Sequence, residues 1–221
     1  MTNYVFKNAS LRVRIGKLVC LARSYRDHAA EMHAEMTEEP LLFLKPESAV
    51  VFNNQSIIIP SVSSCLHHEV ELGVVIGKTA RRVSQEDALG YVLGYVVALD
   101  ITERDLQTKA KQQGWPWTIA KGFDTFAPIS DVVLRDELLD PNNLDLVLTV
   151  NGEVRQRSNT RYLVYSVERI IEFVSGVMTL KRGDLLLTGT PEGVGEIVEG
   201  DVLEAQLGDR CFLRVDVQKE R

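Results

Sequence analysis

The run Leu66-His67-His68-Glu69-Val70-Glu71-Leu72-Gly73-Val74-Val75-Ile76-Gly77 has the apolar content of a buried strand and carries two carboxylates near its start. Residues two apart in a strand point to one face, with Cα atoms about 7 Å apart, so Glu69 and Glu71 share a face and Val70 takes the other. Two anions so placed repel unless positive charge sits between them. A third acid, Asp100, closes the apolar run Tyr95-Val96-Val97-Ala98-Leu99. Buried strands seldom finish on an unpartnered charge. Three carboxylates from two strands can meet at one point, where a hard divalent cation would neutralise them. Mg²⁺ and Mn²⁺ both suit such oxygens and leave positions for water or substrate. The same spacing also arises on a solvated sheet face whose acids pair with Lys or Arg, and the pattern alone leaves both readings open.

Other residues offer proton chemistry. In Tyr25-Arg26-Asp27-His28-Ala29-Ala30-Glu31-Met32, His28 and Glu31 stand three apart, on one face of a helix. A carboxylate beside an imidazole raises its basicity and fixes its tautomer, as a general base requires, although such pairs are also common surface contacts. Lys121 is a lone charge in Trp115-Pro116-Trp117-Thr118-Ile119-Ala120-Lys121-Gly122-Phe123. It either snorkels to water or stabilises a developing oxyanion. His67 and His68 point to opposite faces of a strand, which argues against zinc and for structural roles. Thr188-Gly189-Thr190-Pro191-Glu192-Gly193-Val194-Gly195 lacks the Lys of a phosphate loop, but such a loop can bring backbone N–H groups to an anion.

Short strands must position these groups. Candidate strands are Leu11–Val13, Leu18–Leu21, Leu41–Leu44, Gln55–Ile59, Glu69–Ile76, Leu93–Asp100, Leu185–Thr188, Val202–Gln206 and Phe212–Val217. Leu144–Val150 and Glu153–Arg157 flank Asn151-Gly152, a type I′ hairpin signal. Helices are expected over Tyr25–Met36, over Ser84–Val92 from a Ser84/Asp87 capping box, and from a Thr102/Asp105 capping box to Gln113 with Gly114 as stop. A further helix is expected over Ser166–Ser175 with Gly176 as its C-cap. Strands outnumber helices and no strand–helix alternation recurs. The fold class is a β-rich α+β domain with a curled or sandwiched mixed sheet.

The chain has 221 residues and a net charge of -6, which gives no electrostatic case for nucleic acid or an anionic membrane. No apolar run is long enough to span a bilayer, and the start has no signal-peptide core. Cys20, Cys65 and Cys211 form neither a disulfide framework nor a metal motif, which suits reduced thiols in a cytoplasmic protein. One catalytic domain over 1–221 is expected, with a short N-terminal segment at about 1–16.

Read in order, VCLARSYRDHAAEM, EPLLFLKPESAV, LHHEVELGVVIGK, GYVVALDITERDLQ, WTIAKGFDTFAPIS, LTVNGEVRQ and LTGTPEGVG resemble the fumarylacetoacetate hydrolase family from about Lys17 to the C-terminus. The likeness is to its short members, the acylpyruvate hydrolase and oxaloacetate decarboxylase group. The resemblance implies a mixed β-sandwich roll with short helices, usually a homodimer. It implies Mg²⁺ or Mn²⁺ held by Glu69, Glu71 and Asp100, His28 and Glu31 as an acid–base dyad on a helical lid, and Lys121 as the cationic partner. It also implies substrate contacts from Lys45, Arg104, Gln107 and Thr190. The implied activity is metal-dependent C–C hydrolysis of a small-molecule keto-acid substrate such as acetylpyruvate or fumarylpyruvate, releasing pyruvate. Oxaloacetate decarboxylation or tautomerisation, or an isomerase or decarboxylase step of aromatic catabolism, could use the same site.

Overall fold

The computed structural model describes residues 2–25, 39–63, 65–138 and 140–220. In chain order its first elements are β1 (Leu18–Ala22), β2 (Leu41–Lys45), β3 (Val50–Val51), β4 (Ser56–Ile59), β5 (Leu66–His68), β6 (Val70–Ile76) and helix α1 (Gln85–Ala88). Next come β7 (Val92–Leu99), β8 (Thr102–Glu103), helices α2 (Arg104–Gln113) and α3 (Thr118–Lys121), β9 (Ala127–Pro128) and β10 (Val133–Leu134). The chain continues through β11 (Asp145–Val150), β12 (Glu153–Asn159), helix α4 (Val167–Val177), β13 (Leu185–Leu187), β14 (Gly195–Glu196), β15 (Val202–Leu207) and β16 (Cys211–Lys219). Strands dominate and the helices are short, as the residue patterns predict.

A six-stranded sheet runs β10-β7-β6-β13-β1-β2, antiparallel except where β1 lies parallel to β13. A five-stranded sheet runs β12-β11-β15-β16-β4, and β6 and β7 lie against its β11, β15 and β16. Alternation in β11, β15 and β16 buries one face, including Leu146, Leu148, Leu203, Leu213 and Val215, and leaves the other to solvent. β6 is buried along its whole length, which is why its sequence is continuously apolar rather than alternating. Gly73 makes room in that layer, since a Cβ there would come within 2.5 Å of the Val96 side chain.

Two further sheets are small: β14-β5-β8, and the parallel pair β3-β9. The first of them shapes the site. The chain leaves β5 at His68 and enters β6 at Val70, so Glu69 sits at a break between two sheets rather than inside one strand. The neighbouring segment breaks at the same level, between β7 and β8, where Asp100 and Ile101 stand. The Asp100 N–H donates to the Glu69 carbonyl at 2.8 Å across this double corner.

Several expectations are corrected. Leu11–Val13 forms no strand; the segment pairs only locally, through an isolated bridge of Arg14 with Asn3. Thr102 is not the cap of α2: it lies in β8, and Glu103 caps the helix by accepting from the Leu106 N–H. A buried carboxylate outcompetes a hydroxyl whose own proton goes to the Asp100 carbonyl. Gly176 lies inside α4, which ends in extended backbone at Met178. The Asn151-Gly152 turn holds, with φ of 53° and 82° as a type I′ turn demands. The helix expected over Tyr25–Met36 falls almost wholly on residues 26–38, outside those described.

Candidate active site

The double corner brings three acids together. One carboxylate oxygen each from Glu69, Glu71 and Asp100 lies within 4.8 Å of the others, and all three side chains are buried. Glu69 comes from the β5–β6 break, Glu71 from β6, and Asp100 from the end of β7. Cations hold them. Lys121, in the last turn of α3, donates to Glu69 Oε2 at 2.8 Å and to Asp100 Oδ2 at 2.5 Å. Arg104, at the start of α2, donates to Glu69 Oε1 at 2.6 Å and to Gln107 Oε1 at 2.6 Å. Glu71 Oε2 accepts from the Gly189 N–H at 2.7 Å. Gly189 has φ of 95°, and a Cβ there would meet Ser24 Oγ at 2.6 Å, so the loop can approach Glu71 only with glycine at this point.

The electrostatics follow from crowding. Burial, then the charge of Asp100, pushes the Glu71 carboxyl well above its ordinary range, although the Gly189 N–H pulls the other way. Burial would lower Lys121, but Asp100 and Glu69 outweigh it and the ammonium is held above its ordinary value. An all-oxygen donor set of three buried, converging carboxylates, one of which, Glu71, is met by a backbone N–H rather than by a cation, fits a hard divalent cation, and the three acids are the residues that could hold it.

The sequence-predicted residues fall into distinct places. Arg104, Gln107, Lys121 and Thr190 line one cavity with the three acids. Lys121 is 2% exposed and does not snorkel. Lys45 is not part of the cavity wall: its ammonium donates to Asp100 Oδ1 at 2.5 Å and to the Ile101 carbonyl at 2.9 Å, inside the protein. Burial lowers Lys45, and Asp100 offsets part of that. His67 accepts from Arg104 Nε at 3.3 Å and His68 contacts Gln156 at 3.0 Å, so both histidines support neighbours. His28 and Glu31 lie outside the described residues.

Sequence reasoning missed Glu103, whose carboxylate sets the start of α2 and hence Arg104. It also missed Gln156, which donates to Thr190 Oγ1 at 2.8 Å. Its only signal was a glutamine on a hairpin strand, which reads as a solvent-facing residue. The anion foreseen for the loop after β13 turns out to be the protein's own Glu71.

The family model for the fumarylacetoacetate (FAA) hydrolase C-terminal region matches residues 17–218. The chain belongs to the fumarylacetoacetate hydrolase family. Within it, the mitochondrial oxaloacetate tautomerase FAHD1 of Arabidopsis thaliana is 46% identical over 203 residues, covering 92% of this chain and 91% of that one. The structure of fumarylpyruvate hydrolase from Pseudomonas aeruginosa, in complex with Mn²⁺ and pyruvate, superposes with a TM-score of 0.95 at 34% identity, covering 99% of this chain and 96% of that one. The 5-carboxymethyl-2-hydroxymuconate delta-isomerase of Mycobacterium smegmatis superposes with a TM-score of 0.84 at 37% identity, covering 95% of this chain and 81% of that one. The family fold thus carries hydrolase and isomerase members on the architecture described above.

Proposed function

We propose that this protein is a Mg²⁺- or Mn²⁺-dependent hydrolase that cleaves a C–C bond of acylpyruvate-type substrates, fumarylpyruvate or acetylpyruvate among them, and releases pyruvate. The observation that carries the reading is the buried convergence of Glu69, Glu71 and Asp100, with Lys121 bridging two of them. A divalent ion held there supplies positive charge that polarises a keto group and offsets the charge of an enolate.

The chain's own residues do the rest. Arg104 and Lys121 place fixed positive charge beside the acids, where a keto-acid carboxylate and a developing oxyanion find partners. Lys45 holds Asp100 from the protein interior. His28, oriented by Glu31, takes a proton from water, which attacks the distal carbonyl. The C–C bond breaks, its electron pair passes to the pyruvate fragment as an enolate, and the enolate is protonated on carbon.

A second reading, oxaloacetate tautomerisation or decarboxylation, is favoured by the Arabidopsis relative at 46% identity. It needs no attacking water. A homodimer belongs to the same reading: β2 ends its sheet, and its exposed Leu41 and Leu44 share an apolar groove with Trp115. Among the described residues no helix is long and apolar enough to cross a membrane, and the free cysteines suit a cytoplasmic protein.

The deciding experiment measures pyruvate release from acetylpyruvate, fumarylpyruvate and oxaloacetate, with EDTA and then with Mg²⁺ or Mn²⁺ restored. Metal-dependent release from an acylpyruvate, abolished in His28→Ala, supports the hydrolase. Preference for oxaloacetate, or enol–keto exchange without release, supports the second reading. No turnover of any of them sinks both.

A further inference from the structure

Gln156 sits beside a β-bulge. Leu148 stands opposite Gln156 and Thr149 opposite Val154, so Arg155 is the extra residue of β12. A bulge re-aims neighbouring side chains, and here Gln156 turns inward to 1% exposure between exposed Arg155 and Arg157. All four of its hydrogen-bonding positions are used. Oε1 accepts from the Val70 N–H at 3.0 Å and from His68 Nδ1 at 3.0 Å. Nε2 donates to Thr190 Oγ1 at 2.8 Å and to the Pro191 carbonyl at 2.9 Å. The amide has one possible orientation. The Val70 N–H can only donate and the Pro191 carbonyl can only accept, so the two ends agree.

That polarity passes to Thr190. Its oxygen accepts from Gln156, so its proton is left to bond elsewhere, and among the described residues that proton has no acceptor. Thr190 is buried and lines the cavity of the three acids. We propose that Gln156 is a positioning residue that fixes Thr190 as a hydrogen-bond donor into the cavity, so that the site takes a ligand oxygen that accepts, a carboxylate or keto oxygen. The inference rests on the keto-acid reading, which already counts Thr190 among the substrate contacts, and adds the amide that sets the direction of its hydroxyl. A ligand N–H at the same point would meet a donor and be refused. Gln156 also grips Val70, the residue between Glu69 and Glu71, and so ties that donor to the spacing of the acids.

The test uses oxalate, a small dianion rich in acceptor oxygens and not consumed, titrated calorimetrically into the Mn²⁺-loaded protein. Mn²⁺ affinity is measured separately. Thr190→Val should weaken oxalate roughly ten- to hundredfold, the loss of a hydrogen bond to a charged group, and Thr190→Ser should restore it. Gln156→Glu presents an acceptor where Nε2 stood, captures the Thr190 proton, and should weaken oxalate by a similar factor while moving Mn²⁺ affinity less. In the Thr190→Val background the same change should cost little more. Gln156→Met, neutral and close in shape, should show a smaller loss that likewise vanishes without the Thr190 hydroxyl. It serves if Gln156→Glu does not fold. Equal losses with and without that hydroxyl, no loss at all, or a wild type that does not bind oxalate would overturn the proposal. A wild type that binds oxalate but releases no pyruvate sinks the reaction assigned above and leaves this test standing.

Discussion

Lys45 and Lys121 divide the Asp100 carboxylate between them, Lys45 donating to Oδ1 and Lys121 to Oδ2, each at 2.5 Å. Both lysines are buried, so each is a charge taken out of water and repaid by a carboxylate. Lys45→Met would leave Asp100 with a bare, buried oxygen. Urea unfolding in EDTA should show a loss of about 3–5 kcal/mol, the usual result of removing one partner from a buried pair. A loss below about 1 kcal/mol would mean that Asp100 is not held as described.

Glu71→Gln should stabilise the metal-free protein. The folded-state pKa of Glu71 is raised above its ordinary 4.5, so this group favours folding most when protonated. Its contribution is fully present below the unfolded-state value and is lost as pH rises through the raised folded value. In EDTA the wild-type Tm should therefore fall relative to Glu71→Gln as pH climbs from about 4.5. With Mn²⁺ the order should reverse, because the variant has lost a ligand charge. Parallel Tm curves for the two proteins in EDTA would refute this.

Glu103→Ala should cost about 2–4 kcal/mol, from lost capping of α2 and from donors left unmet. Glu103 accepts from Leu106 N–H at 2.6 Å, Cys65 N–H at 3.2 Å and Ser63 Oγ at 3.3 Å. Because α2 begins at Arg104, KM for a keto acid should rise as well. Unchanged KM in a folded Glu103→Ala protein would separate the cap from the site.

Gly189→Ala combines a left-handed φ with a Cβ set 2.7 Å from that of Ser24. A cost of at least about 2 kcal/mol is expected, together with weaker Mn²⁺ binding as the N–H donor on Glu71 withdraws. Calorimetric Mn²⁺ titration checks it: wild-type affinity in the variant would show that the loop does not shape the acids.

The sequence disclosed the ingredients of this site better than their placement. Apolar runs gave the strands, and Asn151-Gly152 gave the hairpin, because those signals act locally. Glu69, Glu71 and Asp100 were legible because charge inside apolar runs demands a reason. By sequence pattern Glu69 belongs to a continuous strand, whereas it occupies a break, because local pattern does not reveal a change of sheet. The roles of Lys45, Glu103 and Gln156 come from partners distant along the chain, 55 positions from Lys45 to Asp100 and 34 from Gln156 to Thr190. No spacing rule reaches that far.

The loop that completes the acidic cluster lies 118 positions beyond Glu71, and β1 finds its parallel neighbour at Leu185. During synthesis, then, all three carboxylates exist well before the segment that spaces them. An ion encountered by that shorter chain meets acids not yet held at a fixed spacing, and charge alone does not tell one divalent cation from another. Discrimination by size and geometry becomes available only once the closing segment has been made and has docked.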